Sequence, residues 1–200
     1  MSVHVIDDDE DVRESLAMAL GARGLSVRTY ASAEEFRGRL VTAPPGCVIA
    51  DVMMPGMTGL ELLALLAPRR EEFPTIIVTG RANVPMAVEA LKGGAIDFFE
   101  KPVDPGVLFE AVQTTLQRMR DQQAHRLERV DYRRRRAQLS PREREVLDRL
   151  VSGWSNKMIA REFTLSPRTV EAYSANLMAK MQAKTLSDLV RMGLLADEPD

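Results

Sequence analysis

The stretch VIADVMMPGMTGLELL (residues 48–63) runs from a continuous β-branched segment through an aspartate, Asp51, and a Pro-Gly turn into a stretch of helical period. An apolar run without alternation is the pattern of a strand buried on both faces, as in a parallel sheet. The same rhythm recurs five times in the first half of the chain. The strand candidates are Val3–Ile6, Ser26–Tyr30, Cys47–Asp51, Thr75–Thr79 and Asp97–Phe99, and the helix candidates lie near 10–22, 32–40, 58–67, 84–92 and 105–120. Strands alternating with helices predict right-handed crossovers and a doubly wound α/β domain with a five-stranded parallel sheet. Such sheets place their sites at the C-terminal ends of the strands.

On that topology Asp7 and Asp8 end the first strand, Asp51 the third and Thr79 the fourth, while Lys101 follows the fifth. All five converge on one edge. Any one of them alone reads as a solvated strand-end residue; together they read as a site. Three close carboxylates repel one another, and a hard divalent cation with oxygen ligands, Mg²⁺ above all, relieves that repulsion. A carboxylate nucleophile beside such a cation, a hydroxyl and an ammonium has what phosphoryl transfer needs, and no base is required because the carboxylate is already ionised.

The net charge of −2 hides an asymmetry. Residues 1–117 carry 10 Lys+Arg against 17 Asp+Glu, 118–139 carry 8 against 3, and 140–200 carry 9 against 9. An acidic front followed by a basic connector implies two functional units, of which only the second suits a polyanion. The segment from Arg118 to Gln138 contains no Pro or Gly, so it either extends the fifth helix or forms a partly ordered connector. Val112, Leu116, Met119, Leu127 and Val130 give it a broken apolar stripe, and the run Arg133–Arg136 is either a phosphate-attracting patch or a solvated segment.

No run of about 18 apolar residues occurs, and the opening MSVHVIDDDE is neither basic nor long in apolar residues, so no export signal or membrane span is expected. A single cysteine, Cys47, excludes an intrachain disulfide and a multi-cysteine metal site. It reads as a buried small hydrophobe, and the expected location is the cytoplasm. His4, within a strand, and His125, in a charged helix, show no ligand spacing.

After Leu139 the period is helical throughout. SPRE at 140–143 is a capping box with proline in the first turn, and further periodic segments follow at 156–163, 167–181 and 186–195. Four short helices predict a compact bundle. A second cap and N1 proline at Ser166 and Pro167 predict a helix-turn-helix corner. Arg168, Thr169, Glu171, Ala172, Ser174, Ala175 and Asn176 form a small or polar face able to enter a major groove, with Val170, Leu177 and Met181 on the core face. Lys157 and Lys180 are candidate phosphate contacts. Trp154, in the SGWSNK turn, is expected to pack on the bundle rather than stack on a base.

VHVIDDDE, VIADVMMPGMTGLELL, TIIVTG and AIDFFEKP resemble the acid-pair, phosphoacceptor, switch and lysine motifs of response-regulator receiver domains, over about residues 3–120. The resemblance implies a flavodoxin/CheY-like fold, Asp51 as phosphoacceptor, and Asp8, Asp51 and the Met53 carbonyl as Mg²⁺ ligands with Asp7 assisting. It also implies Lys101 as the partner of the phosphoryl group, through a cis Lys101–Pro102 bond, with Thr79 and Phe98 as the switch pair. Met53 and Arg81 stand where receivers vary. Residues 139–195 resemble the LuxR-type helix-turn-helix domain, with Asn156–Phe163 as supporting helix and Pro167–Lys180 as recognition helix, and the whole chain is similar to response regulators of the FixJ type. Ser174 departs from that pattern, standing where close relatives carry a basic residue.

The expected organisation is a receiver domain at 1–120, a charged helical linker at 121–138 and a DNA-binding domain at 139–200. The implied function is a phosphorylation-dependent transcriptional regulator of a two-component system, not an enzyme beyond its own phosphorylation and dephosphorylation. The implied partners are a sensor histidine kinase, promoter DNA bearing an inverted repeat, RNA polymerase and, on phosphorylation, a second copy of the chain. Two other readings of the residues are a phosphoaspartate hydrolase-like enzyme, which leaves 139–195 unexplained, and a constitutive DNA-binding protein, which leaves the acidic pocket unexplained.

Overall fold

The computed structural model describes residues 1–197, with side chains described as far as Leu194; positions 198–200 of the expected output domain lie outside the described residues. The chain divides into two compact units, Met1–Arg120 and the part from Asp121 onward.

In the first unit, β1 (Ser2–Ile6), β2 (Val27–Tyr30), β3 (Gly46–Ala50), β4 (Thr75–Thr79) and β5 (Asp97–Glu100) alternate with helices. The helices are α1 (Glu10–Gly21), α2 (Ala33–Arg39), α3 (Gly59–Leu66), α4 (Val84–Lys92) and α5 (Pro105–Ala137). The sheet is parallel throughout, in the order β2-β1-β3-β4-β5. Strand order therefore reverses between β1 and β3, where crevices form in open α/β sheets. Pairing of Ile6 with Ala50 makes these two strands end level, so Asp7 and Asp51 leave them side by side.

Period-two alternation sorts the strand residues into two cores. Ile6, Val48, Ala50 and Ile77 pack with Ala33 and Phe36 of α2, Leu62, Leu63 and Leu66 of α3, and Ala90 of α4. Val3, Val5, Cys47, Ile49, Ile76 and Val78 pack on the other face with Leu20 of α1 and Leu108, Val112, Leu116 and Met119 of α5. Local chemistry starts each helix: Asp9, Ser32 and Asn83 cap α1, α2 and α4, and Thr58 forms a capping box with Glu61 at α3. Cys47 is fully buried, and burial pushes its thiol up to about 12, which makes it inert.

The alternatives for the connector are resolved in favour of one helix, since α5 runs unbroken to Ala137. Its apolar stripe is nevertheless split. Val112, Leu116 and Met119 are buried, whereas Leu127 and Val130 are 63% and 56% exposed.

The second unit packs α6 (Pro141–Val151), α7 (Asn156–Glu162), α8 (Pro167–Met181) and α9 (Leu186–Asp197) with the end of α5. Its core joins Tyr132 and Leu139 to Val146, Leu147, Leu150, Ile159, Val170, Leu177, Met181 and Leu189. Ser140 and Glu143 form the capping box of α6, and Ser155 and Ser166 cap α7 and α8. The corner between α7 and α8 turns at Thr164, whose φ of 53° is an uncommon left-handed conformation for a β-branched residue. The Leu165 amide closes it by donating to the Ala160 carbonyl at 2.8 Å. Trp154 packs at the edge of this core with the Arg149 guanidinium 5.1 Å from its ring centroid.

His4, read from sequence only as a strand residue, lies fully buried among Tyr30, Phe36 and Phe73. Its Nε2 is 3.0 Å from the Pro44 carbonyl, which can only accept, so Nε2 carries the proton and Nδ1 accepts from the Tyr30 hydroxyl at 3.1 Å. Burial, outweighing the Pro44 hydrogen bond, lowers its pKa. An unfolded chain then binds a proton near pH 6.5 that the folded chain refuses, and stability falls as pH drops below that value. Urea unfolding between pH 7.5 and 5.5 is expected to show this loss in the native protein and a flatter profile in His4→Gln; equal slopes in the two would refute it.

Candidate functional site

The acidic pocket is assembled by chain geometry rather than by local sequence. Asp7 and Asp51 each stand one residue beyond their strands, Asp8 follows in the β1–α1 loop, and Lys101 comes from the loop after β5. The Lys101 Nζ lies 2.6 Å from Asp7 Oδ2 and 2.9 Å from Asp51 Oδ2, so the ammonium spans the two carboxylates. Asp7 and Asp51 are buried and Asp8 is exposed. Burial pushes the Asp7 carboxyl above its ordinary range, against the pull of the Lys101 hydrogen bond. Burial pulls the Lys101 ammonium down, but the hydrogen bonds it donates to Asp7 and Asp51, together with their charges, more than offset it and hold its pKa up.

One carboxylate oxygen from each of Asp7, Asp8 and Asp51 lies within 4.8 Å of the others. Ligands of a small hard cation sit about 2.0–2.1 Å from it, so a triad of this span can close on one ion with small side-chain movements. The Met53 amide donates to Asp51 Oδ1 at 3.2 Å, which keeps the loop backbone against that carboxylate. At Gly59 a Cβ would overlap the Asp51 carbonyl oxygen, so α3 can start this close to the pocket only with glycine.

Thr79, fully buried at the end of β4, is tied to the lysine through its backbone: the Lys101 amide donates to the Thr79 carbonyl at 2.9 Å. The Lys101–Pro102 bond is cis. Phe98 is half-buried against the α2–α4 side of the sheet. Sequence reading did not single out Arg13, whose Nη1 donates to the Asp7 carbonyl at 2.6 Å.

In the second unit, Arg168, Thr169, Glu171, Ala172, Ala175, Asn176 and Lys180 of α8 are exposed, as is Lys157 of α7. Ser174 is half-buried, its Oγ 2.9 Å from the Val170 carbonyl and 3.4 Å from Asn156 Oδ1. The Lys180 Nζ lies 2.8 Å from Oε2 of Glu143, a buried acid that also caps α6. The Lys180 and Ser140 hydrogen bonds hold the Glu143 carboxyl below its usual range.

The basic run is engaged within its own unit. Arg134 and Arg135 pair with Asp131, Arg135 also donates to the Met181 carbonyl at 2.6 Å, and Arg136 pairs with Asp148 at 2.9 Å. A guanidinium on the last carbonyl of α8 meets the negative end of that helix's dipole.

Residues 3–113 match the response regulator receiver domain, and residues 137–193 match the bacterial regulatory proteins of the luxR family. The fold and pocket thus define a receiver joined to a DNA-binding domain of LuxR type. The chain is 49% identical to the transcriptional regulatory protein FixJ of Azorhizobium caulinodans, over 98% of this chain and 93% of that one. It is 45% identical to FixJ of Rhizobium meliloti, over 96% and 95%. Among solved structures, full-length FixJ from B. japonicum covers all of this chain and 98% of its own at 42% identity with a TM-score of 0.62. The response regulator StyR covers 96% and 98% at 33% identity with a TM-score of 0.76.

The chain belongs to the FixJ-type two-component response regulators. It is a phosphorylation-dependent transcription regulator rather than a metabolic enzyme. Among the described residues no helix is long and apolar enough to cross a membrane.

Exchanging Asp8 for Asn removes one of three like charges. The metal-free protein is expected to gain up to about 1 kcal/mol in urea unfolding, a figure kept small because Asp8 is exposed. Divalent-cation affinity is expected to fall at least about tenfold. A stability loss without a change in cation binding would refute the charge-crowding account.

Proposed function

We propose that Asp51 accepts a phosphoryl group from a sensor histidine kinase, and that the modified receiver releases a DNA-binding dimer. The observation that carries this reading is the Lys101 ammonium bridging Asp7 and Asp51 at the reversal point of the sheet, in a chain that also holds a capped helix-turn-helix. The proposed organisation is a receiver at 1–120, a helical linker at 121–138 and an output domain from 139 onward, working in the cytoplasm.

Asp8, Asp51 and the Met53 carbonyl would hold Mg²⁺, with Asp7 assisting. The ion supplies charge neutralisation for the incoming phosphoryl oxygens. The Asp51 carboxylate attacks phosphorus in line, the bond from phosphorus to the donor imidazole breaks, and the imidazole leaves. Lys101 moves from its carboxylate bridge to the new phosphoryl oxygens. The receiver thus catalyses only its own phosphorylation and, with water as nucleophile, its own dephosphorylation.

The added group brings about −1.5 to −2 charge, which draws the Thr79 hydroxyl inward and leaves room for Phe98 to turn in behind it. Moving from about 1% to 99% active needs about 5.5 kcal/mol, more than the roughly 1.5–3 kcal/mol of one charge-assisted hydrogen bond. Dimerisation supplies the remainder. Exposed Val88 and Leu91 on α4, Ile96 before β5 and Val107 on α5 support the α4–β5–α5 face as the contact.

A two-fold dimer would present recognition helices α8 to an inverted repeat, with RNA polymerase as a further partner at the promoter. Arg168, Thr169, Glu171, Ala172, Ser174, Ala175 and Asn176 would face the bases, and Lys157 and Lys180 the phosphates. Lys180 would have to be shared with Glu143.

Asp51→Asn is expected to fold, to take no phosphate from acetyl phosphate with Mg²⁺, and to stay monomeric in sedimentation with beryllofluoride, while the native chain dimerises and gains DNA affinity. Acid-stable phosphorylation of the variant would reassign the acceptor, and a native chain unchanged by beryllofluoride would end the dimer mechanism.

Lys157→Ala is expected to lower the salt dependence of operator binding by about one counterion, whereas Asn176→Ala relaxes base preference by about 1–3 kcal/mol. Receiver phosphorylation should be unaffected in both. DNA binding unchanged in both variants would remove α7 and α8 from the interface.

A further inference from the structure

The loop that follows the acceptor, residues 52–58, joins β3 to α3. Its two ends are fixed locally. At the first, the Met53 amide donates to Asp51 Oδ1. At the second, Thr58 and Glu61 form a capping box and Gly59 lies against the Asp51 carbonyl. The span between them carries the Met53 carbonyl at its start.

Apart from these bonds to its own flanking elements, one hydrogen bond reaches this loop from elsewhere among the described residues. Glu34, on α2, accepts the Met57 amide N–H on its Oε1 at 2.6 Å. The loop passes so close to the carboxylate that a Cβ at Gly56, where φ is +78°, would fall on the same Oε1. Glu34 belongs to the first turn of its helix, is half-buried, and is fixed at its own end by the Ser32 cap. The Met57 hydrogen bond holds its carboxyl below the usual range, so it is an ionised acceptor at neutral pH. A charge-assisted hydrogen bond of this length is among the stronger kinds.

We propose that Glu34 is a positioning residue for the divalent-cation site: by anchoring Met57 and Gly56 it fixes the loop that presents the Met53 carbonyl. The inference rests on the reading of Asp8, Asp51 and Met53 as the cation's ligands. Groups that orient metal ligands without touching the metal commonly change affinity by 10–100-fold when removed. Glu34 acts at the same remove, through backbone instead of through a ligand's side chain. It also couples α2, which has no residue in the pocket, to the geometry of the acceptor loop.

The test is Mg²⁺ titration calorimetry of the full chain, paired with amide hydrogen exchange at Met57 in the metal-free protein and with thermal unfolding. Glu34→Ala is expected to speed Met57 exchange and raise the Mg²⁺ Kd about tenfold with Tm little changed. Glu34→Gln keeps an acceptor oxygen and should recover most of the affinity.

Native Mg²⁺ affinity in Glu34→Ala would overturn the proposal. So would a loss that Glu34→Gln fails to recover and that tracks a fall in Tm. Absence of Mg²⁺ binding by the native chain would overturn the ligand reading and this inference together, and it is distinguished by appearing before any substitution is made.

Discussion

Three carboxylates gather at the end of a parallel sheet, and one ammonium bridges the two buried ones. Lys101 neutralises only part of the charge of Asp7, Asp8 and Asp51, and it reaches them from the loop after β5, the edge strand on the other side of β4. The pocket is therefore a product of the completed domain. The residual negative charge is what would draw a cation to the site, and it is a standing cost to the resting protein. The rest of the first unit supports this arrangement: level strand ends at Ile6 and Ala50, a glycine where α3 meets Asp51, and two apolar layers that keep water from the strands beneath.

The same logic explains what could be read in the chain before its structure. Apolar β-branched runs at Cys47 and Thr75, and at Val3 with His4 inside it, mark strands buried on both faces, and serines followed by prolines at 140 and 166 mark helix starts, because both signals are local and physically direct. Strand ends shifted by a residue, leaving Asp51 just outside β3 instead of at its tip. The convergence of the acids and the lysine was also legible, since topology alone sends successive strand ends to one edge.

What escaped were partnerships between distant residues. Nothing near Glu34 announces Met57, and nothing near Lys180 announces Glu143, which reads in sequence as a capping residue alone. The run Arg133–Arg136 has the density of a phosphate-binding patch. In the structure much of it is spent on Asp131, Asp148 and the end of α8. Charge counts show that a cation is present and not what it faces. The continuity of α5 was undecidable for a related reason: Leu127 and Val130 carry the helical period but are exposed, so the pattern alone does not say whether packing sustains the helix.

Trp154 is the chain's single tryptophan, and it sits on the core of the second unit under the Arg149 guanidinium. Light absorbed at the red edge of the protein spectrum is therefore taken up by that unit alone, and the first unit, with no indole of its own, stays dark. The chain carries a built-in optical label on the half that holds the helix-turn-helix. Its emission colour and quenching follow the hydration of a core whose members include Tyr132 from the last turns of α5, so loosening of that helix end can be watched without attaching a dye.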